Sequence, residues 1–269
     1  MAVERHHLRD RTVLITGPAR GIGAESARRL VGRGARVALA GLEPDRLERL
    51  AEELEPNAAW FQADVRQMDQ VQNAVAGAVE RFGRLDVVVA NAGVAAVGTV
   101  QDIDPADFEN TVQVNLLGVW RTLRAALPHI LEARGYALAV ASLAAVVHLP
   151  LIAPYAAAKA GVSALTDSLR MEVEGQGVAV GCAYFGFIDT DMTRNALSDP
   201  GTQALHPEIR RRLIGRPLPV GVAADAIVQG IERRARWIVV PRSALPALWA
   251  PALAQRTAEK IARSRPSRW

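Results

Sequence analysis

The feature that most narrows the fold is an alternation. Short β-branched and apolar runs with no polar face are separated by longer stretches with helical spacing. Thr12-Val13-Leu14-Ile15-Thr16, Arg36-Val37-Ala38-Leu39-Ala40, Trp60-Phe61-Gln62-Ala63, Val87-Val88-Val89-Ala90, Ala137-Leu138-Ala139-Val140-Ala141 and Val178-Ala179-Val180-Gly181-Cys182-Ala183 read as strands, with Ile238-Val239-Val240 a seventh. Strands apolar at successive positions are buried on both faces, as in parallel sheets. Between them, Val71, Val75, Val79 and Phe82 fall at spacings of four, four and three, one stripe of a helix. Repeated strand, helix and strand with short connections demands right-handed crossovers. The predicted architecture is α/β, a single doubly wound domain whose seven-stranded, mostly parallel sheet is covered by helices on both faces.

No linker or fixed-period repeat divides the 269 residues, so one domain over 11–243 is expected, after an extension at 1–10 and before an apolar, basic tail at 244–269. The segment 191–219 breaks the rhythm with prolines, a basic run Arg210-Arg211-Arg212 and a short helical stretch, and reads as a substrate lid. The single cysteine, Cys182, excludes an internal disulfide and a multi-cysteine metal site and suits a reducing compartment, so a cytoplasmic location is expected. The start, MAVERHHLRD, has no apolar core and does not read as a secretory signal. The late stretch SALPALWAPALA is cut by Pro246 and Pro251 and falls short of the roughly 20 residues of a membrane span. The net charge of +4 owes much to the two ends, among them Arg5, Arg9, Arg11, Arg256, Lys260, Arg263, Arg265 and Arg268. No aromatic-flanked basic face or nucleic-acid reading motif accompanies them, and no nucleic-acid partner is expected.

Thr16-Gly17-Pro18-Ala19-Arg20-Gly21-Ile22-Gly23 follows the first strand directly and opens into a helix. A phosphate-bearing ligand needs close backbone approach, which side chains block, and a helix N-terminus whose free N–H groups face the anion. Gly17, Gly21 and Gly23 meet both needs at the first βα turn of a parallel sheet, where dinucleotides bind. In isolation the same glycines serve equally as an ordinary tight turn.

The spacing Gly17-x-x-x-Gly21-x-Gly23 resembles the TGxxxGxG turn of the short-chain dehydrogenase/reductase family, and further places match. Asp64-Val65 follows the third strand and Ala90-Asn91-Ala92-Gly93 ends the fourth; Asn115 lies in the next helix, and Ser142 precedes Tyr155-Ala156-Ala157-Ala158-Lys159 by 13 residues. The resemblance covers about residues 11 to 190 and implies a Rossmann-like fold, a nicotinamide cofactor and oxidoreduction at a CH–OH or C=O carbon. It implies that Asp64 and Val65 meet the adenine, that Asn91, Ala92 and Gly93 line the cofactor groove, and that Ile188 and Thr190 meet the nicotinamide. It also implies that Asn115 positions a water linking Lys159 to solvent, and that the chain forms a homodimer or homotetramer through helices over 111–134 and 154–174. Two departures stand out: Phe185-Gly186-Phe187-Ile188-Asp189-Thr190 replaces the family's PGxxxT, and Ala90 replaces a usual Asn.

An acidic residue ending the second strand binds a ribose 2′-hydroxyl and repels a 2′-phosphate. This chain reads Ala40-Gly41-Leu42-Glu43, with Gly41 where NAD-preferring relatives carry Asp and Leu42 where many NADP enzymes carry Arg. Arg20, inside the glycine turn, resembles the basic residue of NADP-preferring members, so NADP(H) is expected over NAD(H), with Glu43 the opposing signal.

Tyrosine ionises near ~10, so proton exchange at neutral pH needs a neighbour that stabilises phenolate. Lys159 is four residues from Tyr155, on the same helical face, and its ammonium supplies that charge. Ser142 ends the fifth strand, at the carboxyl edge where doubly wound folds bind ligands, and its hydroxyl suits an oxygen whose charge changes; a turn cap is its plainer reading. Asn115, on an apolar helix, needs bonded partners for its amide, as a core brace or as part of the site.

Catalytic roles are therefore expected of Asn115, Ser142, Tyr155 and Lys159, and substrate contacts of Ser142, His148, Tyr155, Phe185 and Phe187. The segment 143–154 is almost wholly apolar and suits a small hydrophobic alcohol or ketone. The rival reading is a nicotinamide-binding sensor or scaffold without turnover, which would need neither Tyr155 nor Ser142. A further reading sets the basic tail on a membrane surface or a partner subunit.

Overall fold

The computed structural model describes residues 6–263, so Arg5, Arg265 and Arg268 of the basic ends lie outside the described residues. The chain runs β1 (Thr12–Thr16), α1 (Gly21–Val31), β2 (Arg36–Gly41), α2 (Pro44–Glu53), β3 (Ala58–Gln62), α3 (Met68–Phe82) and β4 (Val87–Ala90). It continues through α4 (Pro105–Val112), α5 (Gly118–Glu132), β5 (Tyr136–Val140), α6 (Ala153–Glu172) and β6 (Ala179–Phe185). Three short helices follow, α7 (Asp191–Ser198), α8 (Pro200–Ala204) and α9 (Pro207–Leu213), then α10 (Val220–Glu232), β7 (Trp237–Val240), α11 (Leu245–Trp249) and α12 (Pro251–Arg263).

The seven strands form one sheet in the order β3-β2-β1-β4-β5-β6-β7, and every pairing is parallel. Alternate strand residues feed two cores. Val13, Ile15, Val37, Leu39, Val89 and Leu138 pack with Ala27 and Leu30 of α1 and Ile227 of α10. Leu14, Ala38, Val88, Ala137 and Cys182 pack with Val75 of α3, Leu123 of α5 and Val162 of α6. This two-sided burial explains why the strands carry no polar face. The expected stripe on α3 is the face that packs, with Val71, Val75 and Phe82 buried.

Two element expectations change. The helix read over 111–134 is divided: α4 ends at Val112, a five-residue π turn spans Gln113–Leu117, and α5 begins at Gly118. The segment 191–219 holds three short helices in place of one, each N-capped by a side chain: Thr190, Asp199 and His206. Among the described residues no helix is long and apolar enough to cross a membrane.

Candidate active site

Strand order reverses between β1 and β4, which opens a crevice at the carboxyl edge. The glycine turn lies there. Gly17 and Gly21 hold left-handed backbone, at φ +67° and +56°, which other residues avoid. Gly23 is demanded by packing: a Cβ there would lie 2.6 Å from the Gly17 carbonyl oxygen and 2.8 Å from Asn91 Nδ2. Asn91 braces the turn, its Nδ2 donating to the carbonyls of Thr16 at 3.0 Å and Gly17 at 3.2 Å.

The N-terminus of α1 has no side-chain cap, whereas Asp104 caps α4 and Thr190 caps α7. Uncapped N–H donors at the positive end of an eleven-residue helix, bordered by glycine, fit the pyrophosphate of a dinucleotide. A cavity of about 740 Å³ runs from this turn to Tyr155 and Lys159. Its walls include Gly17, Arg20, Gly21, Ile22 and Gly23; Gly41, Leu42, Asp64 and Val65; Asn91, Ala92 and Gly93; and Ile188 and Thr190. All the residues expected to hold the cofactor therefore face one space.

Some of those side chains are already engaged. Arg66 grips the Asp64 carboxylate, with Nη2 at 2.6 Å and Nε at 2.9 Å from Oδ2, and holds it below the usual carboxylate range. Arg66 also donates to Asn110 Oδ1 at 3.0 Å, and both residues line the cavity. Arg20 donates from Nη2 to Glu43 Oε1 at 2.7 Å, and Arg46 reaches Glu43 Oε2 at 3.1 Å. Thr190 accepts the Thr193 N–H at 3.3 Å as the α7 cap.

At the other end, α6 opens with Pro154 in its first turn, where a missing N–H removes no helical bond. One turn of this helix carries Tyr155 and Lys159 to the cavity, with Lys159 Nζ 5.6 Å from the centre of the Tyr155 ring. Lys159 is 3 % exposed and donates to the Val140 carbonyl, at the end of β5, at 2.7 Å. Loss of water disfavours its ammonium and pulls the pKa down to about 8. Tyr155 is half-buried, and burial pushes its phenol up while the neighbouring Ser142 hydroxyl draws it down. Ser142 thus acts on the phenol as a counterweight to burial. Ser142 Oγ donates to the Phe185 carbonyl and accepts the Ala144 N–H, both at 3.1 Å, so it caps the turn Leu143–Ala145 and borders Tyr155 at once.

Asn115 is fully buried in the π turn. Its Oδ1 accepts the Val94 N–H and its Nδ2 donates to the Val94 carbonyl, both at 2.8 Å. Those bonds fix the chain leaving β4. They also hold Asn115 near the lysine, since a Cβ on Gly93 would lie 3.3 Å from Asn115 Oδ1 and 3.8 Å from Lys159 Nζ. Of the residues expected at the substrate, Tyr155 and Phe185 line the cavity, whereas Ser142, Phe187 and the exposed His148 are not among its wall residues. Val94, Ala95, Val97, Val114, Met192 and Ala196 are apolar members of the same cavity wall. Nothing in the sequence marked them, because none carries a polar group and none falls in a spaced motif. A side cavity of about 330 Å³ shares Val97 and Asp199 with this wall.

Comparison with known proteins agrees with this geometry. The family model described as short chain dehydrogenase matches residues 11–201. Trans-4-hydroxycyclohexanecarboxylate dehydrogenase of Sinomonas cyclohexanicum is 35% identical over 193 residues, 68% of this chain and 74% of that protein. The 11-beta-hydroxysteroid dehydrogenase 1A of Arabidopsis thaliana is 33% identical over 244 residues, 87% of this chain and 69% of that protein. Among solved structures, a 3-ketoacyl-(acyl-carrier-protein) reductase from Brucella melitensis complexed with NADH superposes with a TM-score of 0.77 at 27% identity, covering 87% of this chain and 97% of that one. The chain belongs to the short-chain dehydrogenase/reductase family, oxidoreductases of CH–OH and C=O groups that use a nicotinamide cofactor.

Proposed function

We propose that this protein interconverts a hydrophobic secondary alcohol and its ketone, with Tyr155 exchanging the proton and the segment 191–219 as lid. The observation that carries the reading is that Tyr155 and Lys159 line a cavity that begins on the glycine turn, with the Ser142 hydroxyl beside the phenol. Bound nicotinamide supplies hydride exchange with the carbinol carbon. Tyr155 gives or takes the proton of the substrate oxygen, and Ser142 bonds that oxygen as its charge changes. Lys159 spends one N–H on Val140 and keeps two for a ribose hydroxyl and the phenolate. The apolar wall of Val94, Val97, Val114 and Met192 excludes water and suits a hydrocarbon ring, the substrate type named for the two relatives above. Assembly as a homodimer or homotetramer through α5 and α6 belongs to the same reading, supported by the exposed Trp120 and Met171 on those helices.

On the cofactor the reading departs from the sequence expectation of NADP(H). That expectation needs Arg20 free for a 2′-phosphate. Glu43 occupies Arg20 and Arg46 together, so a phosphate would have to displace a carboxylate, whereas a ribose hydroxyl can donate to it. The geometry favours NAD(H), in line with the NADH in the Brucella melitensis reductase. Fluorescence titration with NADH and NADPH tests this. The wild-type chain is expected to bind NADH more tightly, and Glu43→Gln is expected to shift the ratio toward NADPH by about 10- to 150-fold, the worth of one charged hydrogen bond. Tighter NADPH binding by the wild type would return the assignment to NADP(H). Screening ring ketones against aldoses with the preferred cofactor tests the substrate class, and turnover of aldoses alone would contradict it.

A further inference from the structure

The apolar segment between Ser142 and Tyr155 joins two groups of the proposed chemistry, and its internal backbone bonds, among the described residues, run only as far as Val147 before the helix begins. It holds one three-residue turn, Leu143–Ala145. Farther on, the Leu151 carbonyl accepts the Gly98 N–H at 2.9 Å, and Leu151 itself sits at φ +70°, strained for a residue with a side chain. The middle of the segment is fixed from the far end of the chain. Gln255, on α12, accepts the His148 N–H on Oε1 at 2.7 Å and turns its Nε2 toward the His148 carbonyl at 3.4 Å. One amide side chain thus meets both backbone groups of one residue, as a neighbouring strand would. Glu259, one helical turn on, takes the same Nε2 at 3.3 Å and steadies the rotamer. α12 also packs against α9 of the segment 191–219, with Ala258 and Ile209 the buried residues of the two helices.

We infer that Gln255 is a positioning residue for the oxidoreductase reaction: it ties the loop between Ser142 and Tyr155 to α12, which itself packs on α9. The loop that leads into Tyr155 is then held by a helix beyond residue 201, where the family match ends. The histidine enters through its backbone, which accounts for an exposed imidazole in a loop beside the cavity. The inward face of the tail is engaged within the chain, as the burial of Ala258 shows.

The test uses the full chain saturated with NADH and two variants. Gln255→Met keeps length and helix propensity but loses both bonds; Gln255→Glu keeps the acceptor of the shorter one. Gln255→Met is expected to raise amide hydrogen exchange over 146–150 about 5-fold, the equivalent of one net hydrogen bond, without change in β5. Its KM for cyclohexanone is expected to rise by a similar factor with the NADH dissociation constant unchanged, and Gln255→Glu is expected to restore most of both. Wild-type exchange and KM in Gln255→Met would overturn the inference, as would an equal loss of NADH affinity or a Gln255→Glu chain that behaves like Gln255→Met. Failure of the wild type to reduce cyclohexanone would count against the substrate class alone, and the exchange measurement would still decide the clamp.

Discussion

Lys159 is held under strain by its surroundings. Its ammonium is buried with one carbonyl partner among the described residues, and its pKa falls to about 8 from an ordinary 10.5. Below pH 8 both folded and unfolded chains carry the charge, and the burial penalty is present in full. Between about 8 and 10.5 the unfolded chain binds more protons, so stability climbs with pH as the penalty is relieved. Lys159→Met is therefore expected to raise the melting temperature at pH 7 while reducing turnover, with the gap to wild type narrowing as pH approaches 10. A variant less stable than wild type at pH 7 would show that the ammonium supports the fold. Tyr155 is displaced upward from 10, chiefly by burial, so alcohol oxidation is expected to climb with pH and to show no plateau below pH 10; a flat profile would move the proton exchange elsewhere. The groups legible in the sequence were those with a rare chemistry at a fixed spacing: three glycines, a tyrosine and lysine one turn apart, a serine at a strand end. The grip of Arg66 on Asp64, the pairing of Arg20 with Glu43 and the reach of Gln255 to His148 were not legible. Two of these join residues 23 and 107 apart, and the third depends on a side-chain rotamer.

At the scale of elements, the strands were legible because burial on both faces leaves an unbroken apolar run, and each observed strand begins or ends within two residues of the expected one. The π turn was not, because an inserted residue shifts helical phase without changing composition. The segment 191–219 was legible only as an interruption. Its helices are too short for periodicity to register, and it is pinned at its base, where Asp189 N–H donates to the Leu218 carbonyl at 2.8 Å and Leu218 N–H to the Phe187 carbonyl at 2.9 Å. Packing between elements gives a separate stability test. The Tyr136 hydroxyl crosses β6 to reach the Ala235 carbonyl at 2.7 Å, and a Cβ on Gly181 would overlap it. Gly181→Ala is expected to cost about 1–3 kcal/mol by overpacking, read as a fall of several degrees in a thermal melt. An unchanged melting point would mean that this crossing is loosely packed.

For the molecule as a whole, the sheet order places the ends of β1, β4, β5 and β6 around one crevice. Parts separated by more than a hundred residues in the chain then face one cavity: the turn at Gly17, the brace at Asn91 and the helix carrying Tyr155. The family match covers 11–201 and takes in the whole cavity wall, from Gly17 to Asp199, while α9 and α12 lie beyond it. Proton exchange at Tyr155, as proposed, is separable from cofactor binding. Turnover and NADH affinity of Tyr155→Phe, measured on the same preparation with the best ring ketone, test it most directly. A fall in kcat of about 10²- to 10⁴-fold with the NADH dissociation constant within roughly threefold of wild type is the expected result. Turnover close to wild type would contradict the account.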